Sequence, residues 1–168
     1  MAEITEILHL KAETLTPEGF EKFGVVLEAL EDGTPFTADE AVLDLSEGTP
    51  RFYLMSLEDK PLEFTRITRH LHTTQTLLAL GGAEWFIAVA PADDLSDTAV
   101  PALHDIRVFR IVGETAITLR KGTWHSGPYF RAQKLNFANI ELADTNVVDH
   151  HTYRLDESIG VRVVIDAA

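Results

Sequence analysis

No cysteine occurs among the 168 residues. Disulfides, zinc–thiolate centres and cysteine nucleophiles are therefore ruled out. Positive charge is also scarce. Only 14 Lys and Arg stand against 27 Asp and Glu, a formal net charge of −13. That field repels phosphate backbones and anionic lipid, so neither nucleic acid nor a membrane is an expected partner. A small anionic substrate fits only where local Arg or Lys outweigh the global charge. Long apolar runs are missing as well. The longest, Trp85 to Ala92, is far too short to cross a membrane. The opening Met1-Ala-Glu-Ile-Thr-Glu6 has neither the basic nor the apolar character of a secretion signal. These features lead us to expect a soluble cytoplasmic protein.

The length suits one domain, residues 1–168. Strand signals dominate it. Thr5 to Glu13 alternates and reads as a first strand. Thr16-Pro17-Glu18 opens a short helix, with Thr as N-cap and Pro at the first helical position, closing at Gly24. Strands follow at Val25–Leu30, Arg51–Leu57, Phe64–His72, Thr76–Leu80 and Glu84–Ala90, with residues 31–50 mostly loop. Arg107–Val112, Thr115–Leu119, Arg131–Leu142 and Gly160–Asp166 complete the series. Many short strands punctuated by Gly and Pro point to an all-β sandwich or barrel. Trp85-Phe-Ile-Ala-Val-Ala90 is apolar on both faces. It is either a central core strand or a strand whose outer face meets a second subunit.

Chemistry concentrates in Thr68-Arg-His-Leu-His-Thr-Thr-Gln75 and in Lys121-Gly-Thr-Trp-His125. On a strand, His70 and His72 would share a face. Gln75 follows near a turn, and His125 arrives much later behind a corner-forming Gly122. Two close histidines and a distant third are how a barrel gathers a site from neighbouring strands. Each residue also has a plain reading: surface histidines on an edge strand, a strand-end glutamine, and a packing histidine beside Trp124. Arg66 and Thr68 share the face of His70 and so point to the same hollow, while Arg69 faces outward unless a bulge shifts the register. His104-Asp105 reads as a turn. Asp149-His150-His151 reads as solvated loop rather than a metal tract.

Several stretches resemble the ureidoglycolate lyases, formerly called ureidoglycolate hydrolases. They are Leu15-Thr-Pro-Glu-Gly-Phe-Glu-Lys-Phe-Gly24, Arg69-His70, Gln75, Gly81-Gly82, Ala88-Val-Ala-Pro91 and Ile106-Arg-Val-Phe-Arg-Ile111 through Gly122-Thr-Trp-His125. The resemblance implies a cupin-like double-stranded β-helix barrel with one or two short helices near the N-terminus, and a homodimer. It implies release of urea from ureidoglycolate to give glyoxylate, a late step of purine breakdown through allantoin. His70-Leu-His72 with Gln75 resembles one general cupin motif, and Gly122-Thr-Trp-His125 resembles the other.

The resemblance nominates His125, His70 and Gln75 as catalytic residues. Arg66 and Thr68, on the face of His70, are expected to bind substrate with Lys121 and Trp124; without a metal, Arg66, Arg69 or Lys121 would provide the positive charge. His70, His72, Gln75 and His125 together could hold a divalent Ni, Zn, Mn or Fe ion. Departures from the family pattern fall at Thr68, Leu119-Arg120, Asn136 and Glu141-Leu142. They keep a second expectation open, a divergent cupin that acts on or binds another small carboxylate or a sugar-like metabolite.

Overall fold

Alternating residues close two sheets over a shared apolar interior. The computed structural model describes residues 2–167. Its strands are β1 (Glu6–Thr14), β2 (Gly24–Leu27), β3 (Pro50–Glu58), β4 (Glu63–Phe64), β5 (Arg66–Arg69), β6 (Gln75–Ala79), β7 (Trp85–Ala90), β8 (Arg107–Ile111), β9 (Ala116–Leu119), β10 (Trp124–Tyr129), β11 (Lys134–Leu142), β12 (His151–Arg154) and β13 (Val161–Asp166). One sheet runs β12-β5-β10-β7-β8-β1-β13-β4, and the other runs β2-β9-β6-β11-β3. The curled sheets form a half-barrel, an all-β architecture of the cupin-like kind.

The first helix, α1 (Pro17–Phe20), is capped as expected. The Thr16 hydroxyl accepts the Gly19 N–H at 3.0 Å, and Pro17 sits where a missing N–H costs nothing. The helix stops well before Gly24. That glycine instead opens β2, because a Cβ there would lie 2.0 Å from the Thr118 carbonyl oxygen across the strand pair. Two further short helices, α2 (Thr145–Val148) and α3 (Leu155–Ile159), lie near the C-terminus. The sequence reading placed helices only near the N-terminus. Strands β10 and β12 also escaped it.

Strand β7 is buried along its whole length. Trp85, Ile87 and Val89 pack between the two sheets, against Phe20, Phe109, Leu77 and Phe137. Phe86, Ala88 and Ala90 face a second cluster with Trp124, Ile67, Leu155 and Val163. Each of the larger side chains contributes roughly 1.5–3 kcal/mol by leaving water, and the alanines less. Both faces of β7 are thus covered by this chain itself. The core-strand reading holds, and the reading in which β7 meets a second subunit does not.

Among the described residues, no helix is long and apolar enough to cross a membrane.

Candidate active site

The expected strand from Phe64 to His72 breaks after Arg69. A two-residue repeat therefore no longer places His70 and His72 on one face. His70 is 5% exposed and turns inward. His72 is exposed and pairs with Glu47 at 3.2 Å. His125 comes from β10, where it pairs across with Thr68 of β5. Its ring centroid lies 4.9 Å from that of His70. Gly122 supplies the corner before β10 at φ +82°, and its N–H donates to the His70 carbonyl at 2.7 Å.

Each imidazole is anchored through Nδ1. That of His70 contacts the Asp149 carbonyl at 2.6 Å, and that of His125 contacts the Thr123 carbonyl at 3.4 Å. A carbonyl oxygen can only accept, so Nδ1 carries the proton and Nε2 keeps the lone pair. Burial is the main cause that lowers both pKa values. For His70 the Asp149 carbonyl partly opposes the shift. His125 is driven down to about 3, with neighbouring His70 adding to the effect. Both rings are therefore neutral bases near pH 7.

They line two adjoining chambers. The inner one, about 150 Å³, is bounded by His70, Gln75, Tyr53, Asn139, Glu141 and Asn146 among others. The outer one, about 350 Å³, is bounded by Arg66, Thr68, Ser126 and Tyr129 among others. Lys60, His125, Gly127 and His150 border both. Alternation explains the polar wall of the inner chamber. On β11, Phe137, Asn139 and Glu141 share the inward face, the first in the core and the next two at its mouth. Tyr53 stands opposite Asn139 on β3. Burial pushes the Glu141 carboxyl above its ordinary pKa, against hydrogen bonds that pull it down.

Several nominated residues are brought together as expected. His70, His125 and Gln75 meet in the inner chamber, and Arg66 and Thr68 line the outer one. Others are not. Lys121 is held by Asp44 at 2.7 Å and Glu47 at 3.0 Å, and it borders a different hollow with Arg120. Trp124 neighbours His125 on β10 and so faces the opposite way, into the second core cluster. His72 is outside the site, so the ligand set His70, His72, Gln75 and His125 does not assemble. Among the described residues, no three His, Asp or Glu side chains are arranged to hold an ion.

Two other expectations are corrected. Arg69 does face away from the chambers, yet it is fully buried rather than solvent-facing. Its guanidinium donates to the carbonyls of Asp94 and Ser96 and to His151, and lies 4.6 Å over the Trp124 ring. The solvated-loop reading of Asp149-His150-His151 holds only for His150, which is exposed; Asp149 is buried and His151 opens β12. The buried Asp149 carboxylate accepts the Leu71 and His72 N–H groups at 2.8 and 2.9 Å. The His150 ring lies 5.6 Å from that of His70. Lys60, Tyr53, Asn139, Glu141, Asn146 and His150 were not among the nominated residues. Asn139 and Glu141 could have been found from polar residues at inward positions of an alternating strand. Nothing local marks Lys60, whereas His150 belongs to the Asp149-His150-His151 run that was read as loop.

The chain matches the ureidoglycolate lyase family over residues 7–162. The chain belongs to the ureidoglycolate lyase family. Curated relatives named ureidoglycolate lyase agree. The protein of Pseudomonas aeruginosa strain LESB58 is 26% identical across 89% of this chain and 94% of its own length. That of Pseudomonas fluorescens strain Pf0-1 is 25% identical across 89% of this chain and 95% of its own. Of the departures from the family pattern, Asn136 is exposed and Arg120 borders the other hollow. Thr68 and Glu141 line the chambers.

Proposed function

We propose that this protein is a ureidoglycolate lyase that releases urea from ureidoglycolate to give glyoxylate. The observation that carries the reading is the pair of buried, neutral imidazoles with their rings 4.9 Å apart. They border a small polar cavity with Lys60 and Arg66 at its outer part. Ureidoglycolate bears a carboxylate, a hydroxyl and a ureido nitrogen on one carbon. Lys60 and Arg66 supply the positive charge for the carboxylate. The hydroxyl proton passes to Nε2 of one imidazole. The oxygen electrons form the carbonyl as the C–N bond breaks and its pair moves to nitrogen. The imidazole pair returns one proton to that nitrogen, and urea departs. The lowered pKa values keep both rings unprotonated at neutral pH, so a lone pair is available to take that proton.

The test is direct. Purified protein with ureidoglycolate should yield urea and glyoxylate in equal amounts, and urea formation no faster than the uncatalysed reaction overturns the proposal. A second reading, a cupin acting on or binding another small carboxylate or sugar-like metabolite, is favoured by Thr68. Its hydroxyl bonds to Thr152 at 2.8 Å and offers no acid where the family usually has one. Thermal stabilisation by a different small acid, without urea release, would select that reading. We further infer a cytoplasmic homodimer. The outer face of β3 supports the assembly, since Phe52 and Leu54 are 67% and 61% exposed on the sheet-edge strand.

A further inference from the structure

Among the described residues, one amide oxygen of the inner chamber's lining is buried without a hydrogen-bond partner. Gln75 is 8% exposed, and its Oε1 has no partner. Buried amide oxygens are rarely left so. The other polar atoms around it form a closed chain. Gln75 Nε2 donates to Asn139 Oδ1 and to Glu141 Oε2, both at 3.3 Å. Asn139 Nδ2 donates to the Tyr53 hydroxyl at 3.2 Å, and that hydroxyl donates to Glu141 Oε1 at 3.3 Å. Asn146 Nδ2 reaches the same Oε1 at 3.5 Å. Reversing the Gln75 amide would set its oxygen against two acceptors, so its neighbours dictate the orientation.

The side-chain amides here already have acceptors within the cluster. What Gln75 leaves unpaired is an acceptor, beside the Glu141 side chain, itself 1% exposed. Such a wall receives N–H groups and repels a second carboxylate. Arg66 lines only the outer chamber, and Lys60 stands where the two chambers meet.

We propose that the inner chamber is the ureido subsite, in which Gln75 Oε1 and Glu141 accept the N–H groups of the substrate's ureido end. The carboxylate then lies outward at Lys60 and Arg66, and the central carbon lies beside His70 and His125. This assignment rests on the ureidoglycolate reading and adds to it a direction of binding and a basis for selectivity. Gln75 is thereby a positioning residue rather than a proton carrier.

The experiment compares two unreactive acids on the whole protein by calorimetry. N-carbamoylglycine keeps the carboxylate and ureido group but lacks the hydroxyl, so it cannot release urea. N-acetylglycine replaces the terminal NH₂ with methyl. Wild-type protein should bind the first at least tenfold more tightly. In Glu141→Gln, and separately in Gln75→Met, that preference should fall to threefold or less while glyoxylate binding stays within threefold of wild type. Equal wild-type affinity for the two acids overturns the subsite while leaving the family reaction standing. If neither acid binds and glyoxylate does not bind either, the ureidoglycolate reading falls and the subsite falls with it. The wild-type comparison needs no variant, so a misfolded substitution cannot hide the answer.

Discussion

The N–H of Gly122 donates to the carbonyl of His70 at 2.7 Å. One main-chain bond thus ties the end of the β5 segment to the corner that launches β10. His125 follows three residues after that corner, and its ring comes within 4.9 Å of His70. The pairing of the two imidazoles is built into the backbone.

Removing either ring should disable the proton exchange. His125→Ala and His70→Ala are each expected to lower kcat for urea release about 100- to 10,000-fold, the usual contribution of a positioned acid–base group. A coupled urea assay reads this, and a loss below tenfold for both would refute the assigned roles.

His72 gives the contrasting case. Its side chain is exposed beside Glu47, so His72→Ala should leave urea release within twofold of wild type. Prolonged treatment with a strong chelator should also leave the rate unchanged, because the proposed ligand set does not assemble. Activity lost to chelation and restored by one divalent ion would reverse that conclusion.

Acid should destabilise the fold. The unfolded chain protonates His125 near pH 6.5, whereas the folded chain holds its pKa at about 3. Between these values the unfolded state binds more protons, so stability is full above pH 6.5 and declines as pH falls toward 3. His125 alone should contribute a slope of up to about 1.4 kcal/mol per pH unit in that window. Urea denaturation across this range should show a shallower slope in His125→Gln. An unchanged slope would contradict the buried neutral ring.

Asp149 holds the site together from outside. Asp149→Ala would leave the Leu71 and His72 N–H groups without their carboxylate acceptor and loosen the segment that carries His70. A stability loss of roughly 1–3 kcal/mol is expected, with urea release reduced as well. Thermal unfolding and the urea assay together check this. Wild-type behaviour in both would restore the view of this stretch as solvated loop.

The exposed β3 face should matter for assembly. Phe52→Asp combined with Leu54→Asp is expected to convert a dimer to a monomer in sedimentation velocity. A wild-type monomer at the same concentration would remove the inferred homodimer.

The residues differ in how much of their role could be read in advance. The Thr16 cap, the β7 core strand and the inward alternation of Arg66 and Thr68 depend on neighbours within a few positions, and local pattern predicted them. His72 and Trp124 were misplaced for related reasons. A strand break after Arg69 ended the two-residue repeat, and the same repeat on β10 turned Trp124 away from the pocket. Lys121 was misplaced because its ion-pair partners, Asp44 and Glu47, lie in a remote loop.

Short-range pattern alone determined an all-β chain without thiol chemistry and with two histidine-bearing segments worth joining. It could not show that His150, Asp149 and Lys60 would converge on those segments, or that Glu141 would face them across the cavity. Those contacts come from sheet pairing between distant strands. Register across a sheet is set by the whole packed core, not by any stretch of neighbouring residues.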